Sequence, residues 1–264
     1  MLEIQDLVCT IGYTTIVDGV SLCFDPGRLH VIVGPNGSGK STLLKAFSGE
    51  RVPSAGSITY DGTDLERIDK LSLARRRAVM TQLPELHFPL SVDEIVMMGR
   101  YPHFSFSPTP NDRAICEQVM SHLSIQPLSG RDYLTLSGGE RQRVQFARAL
   151  AQIWEAPASG SRYLFLDEPV SSLDIHYQHQ LLQLAQGLVK EKIVLIAVLH
   201  DLNLALQYAD RMIFMRQGRI VAEGTVPGIV TPALIREVFD IEARILEDPR
   251  SDTPVIVFTH SSNG

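Results

Sequence analysis

At 264 residues, with 44% hydrophobic and 20% charged side chains, the chain has a globular composition that excludes low-complexity and disordered classes and leaves room for an α/β domain with an inserted lobe. Its net charge of −6 provides no general positive field, which argues against nucleic acid as a partner. The three cysteines, Cys9, Cys23 and Cys116, are odd in number and lack metal-ligand spacing, so reduced, buried thiols of a cytosolic protein are expected, without a disulfide framework.

The first residues show no positive segment followed by an apolar one, so no secretory signal is expected. Leu2, Ile4 and Leu7, then Val20, Leu22 and Phe24, alternate with polar residues, which predicts short antiparallel strands broken at Gly12 and at Asp25, Pro26 and Gly27. Residues 30–33 form a compact strand. A glycine-rich loop follows, and residues 40–48 have a helical pattern closed by Gly49. A second hairpin-like region covers residues 57–62, and residues 78–81 read as a strand.

From about residue 84 to 154 the periodicity becomes helical, with Pro- and Ser-bearing connections at 102–110. This predicts a helical lobe inserted into the strand series. Buried parallel strands resume at 163–166 and 192–199, the longest apolar runs being far below the 18 or so residues of a membrane-spanning helix. Asp201 is placed to cap a helix through Tyr208. Residues 211–224 read as a hairpin turning at Gln217 and Gly218, followed by a short helix at 231–239 and a last strand at 255–258.

Three motifs carry chemistry. Gly34, Pro35, Asn36, Gly37, Ser38, Gly39, Lys40 and Ser41, with Thr42 next, satisfy the phosphate-loop pattern. In that pattern backbone N–H groups wrap phosphate oxygens, the lysine reaches the β- and γ-phosphates, and the hydroxyl ligates Mg²⁺. Four apolar residues leading into Asp167 and Glu168 place two carboxylates at a strand end, Asp167 for the Mg²⁺ shell and Glu168 to orient or deprotonate water. Ser137, Gly138 and Gly139 open an apolar-periodic helix whose first amides suit an anion.

The Leu-Ser-Gly-Gly-Glu run at 136–140, together with the phosphate loop, the Asp-Glu strand end, Gln82 and His200, resembles ATP-binding cassette proteins over essentially the whole length. The resemblance implies an α/β, P-loop NTPase (RecA-like) core with an N-terminal antiparallel β subdomain and an inserted α-helical subdomain. The core would comprise residues 1–83 and 156–264, and the insertion 84–155. Tyr13 sits where such cassettes stack an aromatic on adenine, the alternative being a core tyrosine near a strand end. Gln82 resembles the glutamine that contacts Mg²⁺ and the attacking water. His200 resembles the γ-phosphate switch histidine, and Asp174, with Ser171 and Leu173, the loop that crosses to a partner cassette. The cofactors implied are ATP and Mg²⁺. Each ATP would lie between the phosphate loop of one copy and Ser137, Gly138 and Gly139 of another, in a head-to-tail homodimer.

Soluble cassettes acting on nucleic acid or ribosomes usually carry two cassettes in one chain, a long coiled coil or zinc-binding inserts, and none of these is found here. The run from Leu90 to His103 resembles a stretch of importers for iron chelates, haem and cobalamin, which implies transmembrane permease subunits, a periplasmic substrate-binding protein, and a peripheral place on the cytoplasmic face of a bacterial inner membrane. Met80, Met97 and Met98 are expected to pack, and His87 and His103 to pack or hydrogen-bond without binding metal. The extended connection from Ala151, Gln152, Ile153 and Trp154 to Arg162 resembles haem-import cassettes, with ferric siderophore as the next cargo.

Overall fold

The computed structural model describes residues 1–81, 88–171, 173–189, 193–226, 228–247 and 253–259. Strands β1 (Leu2–Ile11) and β2 (Thr14–Phe24) pair antiparallel and are longer than expected. Shifts of register let a ladder of this length bend over the rest of the core. Their inward residues, among them Leu2, Ile4, Leu7, Cys9, Val20 and Phe24, are buried, as the alternation predicts. Strand β3 (Arg28–Val33) leads to helix α1 (Lys40–Phe47). Then β4 (Ala55–Tyr60) and the two-residue β5 (Thr63–Asp64) complete an antiparallel sheet of order β2-β1-β4-β5.

Helix α2 (Lys70–Arg76) precedes β6 (Arg77–Met80), and β7 (Arg162–Asp167) lies beside β6 in parallel register. Between these two neighbours in space run α3 (Val92–Met98), α4 (Pro110–His122) and α5 (Gly138–Gln152). Each of the three begins with a reciprocal cap, Ser91 with Glu94, Thr109 with Asp112 and Ser137 with Glu140, which satisfies two otherwise unpaired amides. Loss of such a cap costs about 1 kcal/mol. Helix α6 (Ile175–Leu188), strand β8 (Ile193–Val198) and helix α7 (Leu202–Tyr208) follow. Strands β9 (Arg211–Arg216) and β10 (Arg219–Thr225) form the expected hairpin, and α8 (Pro232–Phe239) precedes β11 (Glu242–Leu246) and β12 (Val255–Thr259), which pair with each other.

The central sheet runs β10-β9-β3-β8-β7-β6, parallel throughout except at β10. Its two faces feed two cores with the period of two that strands impose. Leu29, Val31, Val33, Leu195 and Ala197 pack toward the helices, whereas Ile32, Val194, Ile196 and Val198 pack toward α1 and the antiparallel sheet. Helices on one face and a sheet on the other explain why β7 and β8 are buried at every position.

The stretch that includes Arg100 and His103 is a packing knot. Arg100 is 1% exposed, and its guanidinium donates to the Asp112 carboxylate, the Ala151 carbonyl and the Glu155 carboxylate at 3.0, 2.9 and 2.6 Å. Burial pushes the Asp112 carboxyl up, but hydrogen bonds from Thr109 and Arg100 more than offset this and hold it below the ordinary range. His103 bonds the Gln152 carbonyl at 2.8 Å, so it hydrogen-bonds as expected, while His87 lies outside the described residues. Met80 is fully buried, and Met97 and Met98 pack against the same core. Cys9 and Cys116 are buried thiols, but Cys23 is exposed because it falls on the outward side of β2, contrary to the expectation for all three. No helix among the described residues is long and apolar enough to cross a membrane.

Candidate functional site

The phosphate-loop residues bridge the end of β3 and the first turn of α1, and Gly39 caps that helix in a left-handed conformation. The loop is fixed from both sides. The Gly218 amide donates to the Ser38 carbonyl at 2.9 Å, and the Asp18 amide on β2 donates to the Gly218 carbonyl at 2.9 Å, so the β9–β10 turn and the first hairpin brace it. Gly34 admits no side chain, because a Cβ there would lie 2.1 Å from the Met215 carbonyl oxygen and 2.9 Å from the Ser38 hydroxyl. Gly34→Ala is therefore expected to lower unfolding free energy by about 1–3 kcal/mol through displacement of β9, measurable by urea denaturation.

Several groups in this loop fit a polyphosphate. The Ser38 hydroxyl is buried and has no hydrogen-bond partner among the described residues, an acceptor and donor left open in the loop. Lys40 is 5% exposed, and its ammonium donates to the Gly34 and Pro35 carbonyls, both at 2.9 Å. That uses two of its three donors among the described residues. Burial lowers the Lys40 pKa, with Glu168 and Asp167 pulling the other way. A buried cation with a donor to spare, at the positive end of α1, suits an anion.

Asp167 ends β7, and its carboxylate accepts from the Ser41 hydroxyl at 3.1 Å. Burial raises the Asp167 pKa, the Ser41 hydrogen bond opposes the rise, and neighbouring Glu168 reinforces it. A second positive charge between these oxygens would relieve that burial cost. Hydroxyl and carboxylate oxygens are the hard donors that Mg²⁺ takes in small number alongside substrate phosphates, so the pair fits that ion. No larger cluster of His, Cys, Asp and Glu that could hold a metal occurs among the described residues.

Glu168 adopts φ +52°, a left-handed backbone uncommon for a residue with a Cβ. Its amide donates to the Val198 carbonyl at 3.2 Å, and its own carbonyl accepts from the Ser171 amide and hydroxyl at 3.3 and 3.2 Å. This turn aims the carboxylate at His200, whose Nε2 lies 2.5 Å from Glu168 Oε1. Both side chains border a cleft of about 290 Å³, which Asn36, Lys40, Ser41 and Thr42 also line. The cleft thus brings together a phosphate-binding loop and a carboxylate–imidazole pair, and through Ser41 it adjoins the metal-suited oxygen pair.

The remaining predicted residues lie around it. Tyr13 stands at the tip of the first hairpin, wholly exposed, which removes the alternative of a core tyrosine, while Ile11 and Ile16 on the same hairpin line the cleft. Ser137 and Gly138 are exposed at the start of α5 and are absent from the cleft lining, as is Gly139. Asp174 is exposed, caps α6 through the Tyr177 amide at 3.1 Å, and does not border the cleft. Gln82 lies outside the described residues, as does Ser172 in the loop before Asp174. No motif in the sequence points to Gln142, which donates to the Pro169 carbonyl next to Glu168, or to Tyr177, whose ring covers Gly139. Contacts between helices far apart in the chain leave no periodic signal.

With this geometry in hand, comparison with known proteins is specific. The family described as ABC transporter matches residues 17–171. The chain is similar to the hemin import ATP-binding protein HmuV of Bordetella avium, 44% identical over 97% of this chain and 98% of the relative. It is likewise similar to the protein of that name from Escherichia coli O157:H7, 41% identical over 98% of this chain and 100% of the other. Among solved structures it resembles an inward-facing transporter described as of the metal-chelate ABC type, with a TM-score of 0.83 at 23% identity, covering 99% of this chain and 98% of that one. A dimeric bacterial ABC transporter cassette, MJ0796, matches with a TM-score of 0.72 at 25% identity, covering 86% of this chain and all of the other.

Proposed function

This chain belongs to the ABC transporter family, and on that premise we propose that it is the ATP-hydrolysing subunit of a bacterial importer whose cargo is haem. The observation that carries the cargo is identity of 41–44% along nearly the whole chain with relatives named for hemin import. Ferric siderophore and cobalamin are the competing cargoes. In this reading the chain works with transmembrane permease subunits and a periplasmic substrate-binding protein, at the cytoplasmic face of the inner membrane. Residues 84–155 form the helical domain, and residues 1–83 with 156–264 the nucleotide-binding core.

The proposed chemistry is phosphoryl transfer to water, in which positioning and charge neutralisation dominate. Gly34 to Ser41 hold the phosphates of ATP, with the Lys40 ammonium on the terminal pair and Tyr13 free to stack on the base. Ser41 and Asp167, with Gln82, would hold Mg²⁺, which when bound neutralises phosphate charge. Glu168 accepts the proton of the attacking water, and His200 orients that carboxylate and senses the terminal phosphate. Closure needs a second copy, arranged head to tail, whose Ser137, Gly138 and Gly139 cover the cleft and whose Asp174 loop crosses the joint. The cargo is tested in a strain lacking this chain's gene: restoring it should restore uptake of haem and leave uptake of ferric siderophore and cobalamin unchanged. Recovery of either of the latter without haem would reassign the cargo.

A further inference from the structure

The segment that carries Glu168 is clamped by two glutamine amides from two helices. Gln142 on α5 is 2% exposed, and its Nε2 donates to the Pro169 carbonyl at 2.5 Å. Gln178 on α6 donates to the Leu173 carbonyl at 2.9 Å and the Val170 carbonyl at 3.3 Å. The two helices also meet at their first turns. A Cβ on Gly139 would lie 3.0 Å from the Tyr177 ring, and the Arg143 guanidinium sits 5.3 Å from the centre of the same ring. Pro169 is thus tied to the helix that starts at Ser137, and Val170 and Leu173 to the helix that starts after Asp174.

We propose that Gln142 is a positioning residue for Glu168: through the Pro169 carbonyl it ties the strained backbone of that carboxylate to the helix that presents Ser137. Gln142 acts only through Glu168, so the role rests on the function proposed above for that side chain. Ser137 and Gln142 are five residues apart, about 7.5 Å along one rigid helix, so a shift of the α5 N-terminus is delivered to Pro169 with little loss. In a head-to-tail dimer the Ser137 loop touches the nucleotide of the partner copy, whereas Glu168 serves the nucleotide of its own chain. Gln142 thus links engagement at one site to placement of the base at the other. The other end of its amide, Oε1, is buried and has no hydrogen-bond partner among the described residues, so there the Pro169 carbonyl is the hydrogen-bond partner of this side chain. An apolar side chain would fill the same space without that open acceptor.

The test is steady-state ATPase of the full-length chain carrying Gln142→Met, which keeps length and removes the donor. The expected result is a kcat about 10- to 100-fold lower, with KM for ATP within about twofold of wild type. In a Glu168→Gln background the same change should leave the residual rate unaltered, because the group it positions is already gone. A loss of rate by the same factor in both backgrounds, or a folded variant with wild-type kcat, overturns the role. If Gln142→Met does not fold, Gln142→Glu retains the shape and removes the donor at neutral pH, and the same two outcomes decide. Glu168→Gln alone separates the premise: an active Glu168→Gln removes the base and the role of Gln142 with it, whereas an inactive Glu168→Gln beside a fully active Gln142 variant sinks only Gln142.

Discussion

Glu168→Gln is expected to lower ATP turnover by about 10²- to 10⁴-fold while leaving nucleotide binding intact. The substitution preserves shape, and the groups that hold the phosphates are anchored on other residues, Lys40 on the Gly34 and Pro35 carbonyls and Ser41 on Asp167. What changes is the ability to accept a proton and the charge facing His200 Nε2 at 2.5 Å. Binding without hydrolysis should let the closed dimer accumulate, so gel filtration with ATP should show a dimer that wild type forms only in passing. ATPase assays and equilibrium binding of labelled ATP separate the two effects. A near wild-type rate would move the base to another residue, and loss of binding in proportion to rate would make Glu168 a binding group.

Much of this site is legible in the sequence because its parts are local. The phosphate loop is eight consecutive residues between a strand and a helix, and the structure puts them there, with β3 ending at Val33 and α1 starting at Lys40. The Asp167–Glu168 strand end and the Asp201 cap are equally local, and both lie as expected. What is not local is not readable. Arg100 gathers Asp112, Ala151 and Glu155 from two helix ends, and Gln142 reaches Pro169 across 27 residues. Helix α6 carries a weak apolar pattern, since only Leu181, Leu182, Ala185 and Leu188 are buried among many glutamines and histidines. Strand β11 alternates charged with apolar side chains and, among the described residues, pairs with β12 alone, so its sequence does not announce a partner. Bulges break the alternation of the long first hairpin after Ile4, so its full length does not show in the sequence.

A mixture of two inactive variants tests the shared site more sharply than either variant alone. Lys40→Ala removes a buried ammonium from the phosphate loop and should weaken ATP binding by about 10- to 100-fold, the range of one charged hydrogen-bonding group. Ser137→Arg puts a bulky cation at an exposed helix start that does not line the cleft of its own chain, so it should bind ATP normally and yet fail to turn over. It also removes the cap on Glu140, a loss of about 1 kcal/mol that the buried face of α5 tolerates. In a head-to-tail dimer of one variant with the other, both lesions fall on the same composite site. The second site then joins the intact loop of the Ser137→Arg chain to the intact Ser137 of the Lys40→Ala chain. An equimolar, fully exchanged mixture should regain up to about a quarter of wild-type ATPase, since half the dimers are mixed and each has one of two sites complete. If loop and helix start served the same chain's nucleotide, every site would carry a lesion, and the mixture would stay as inactive as its parts.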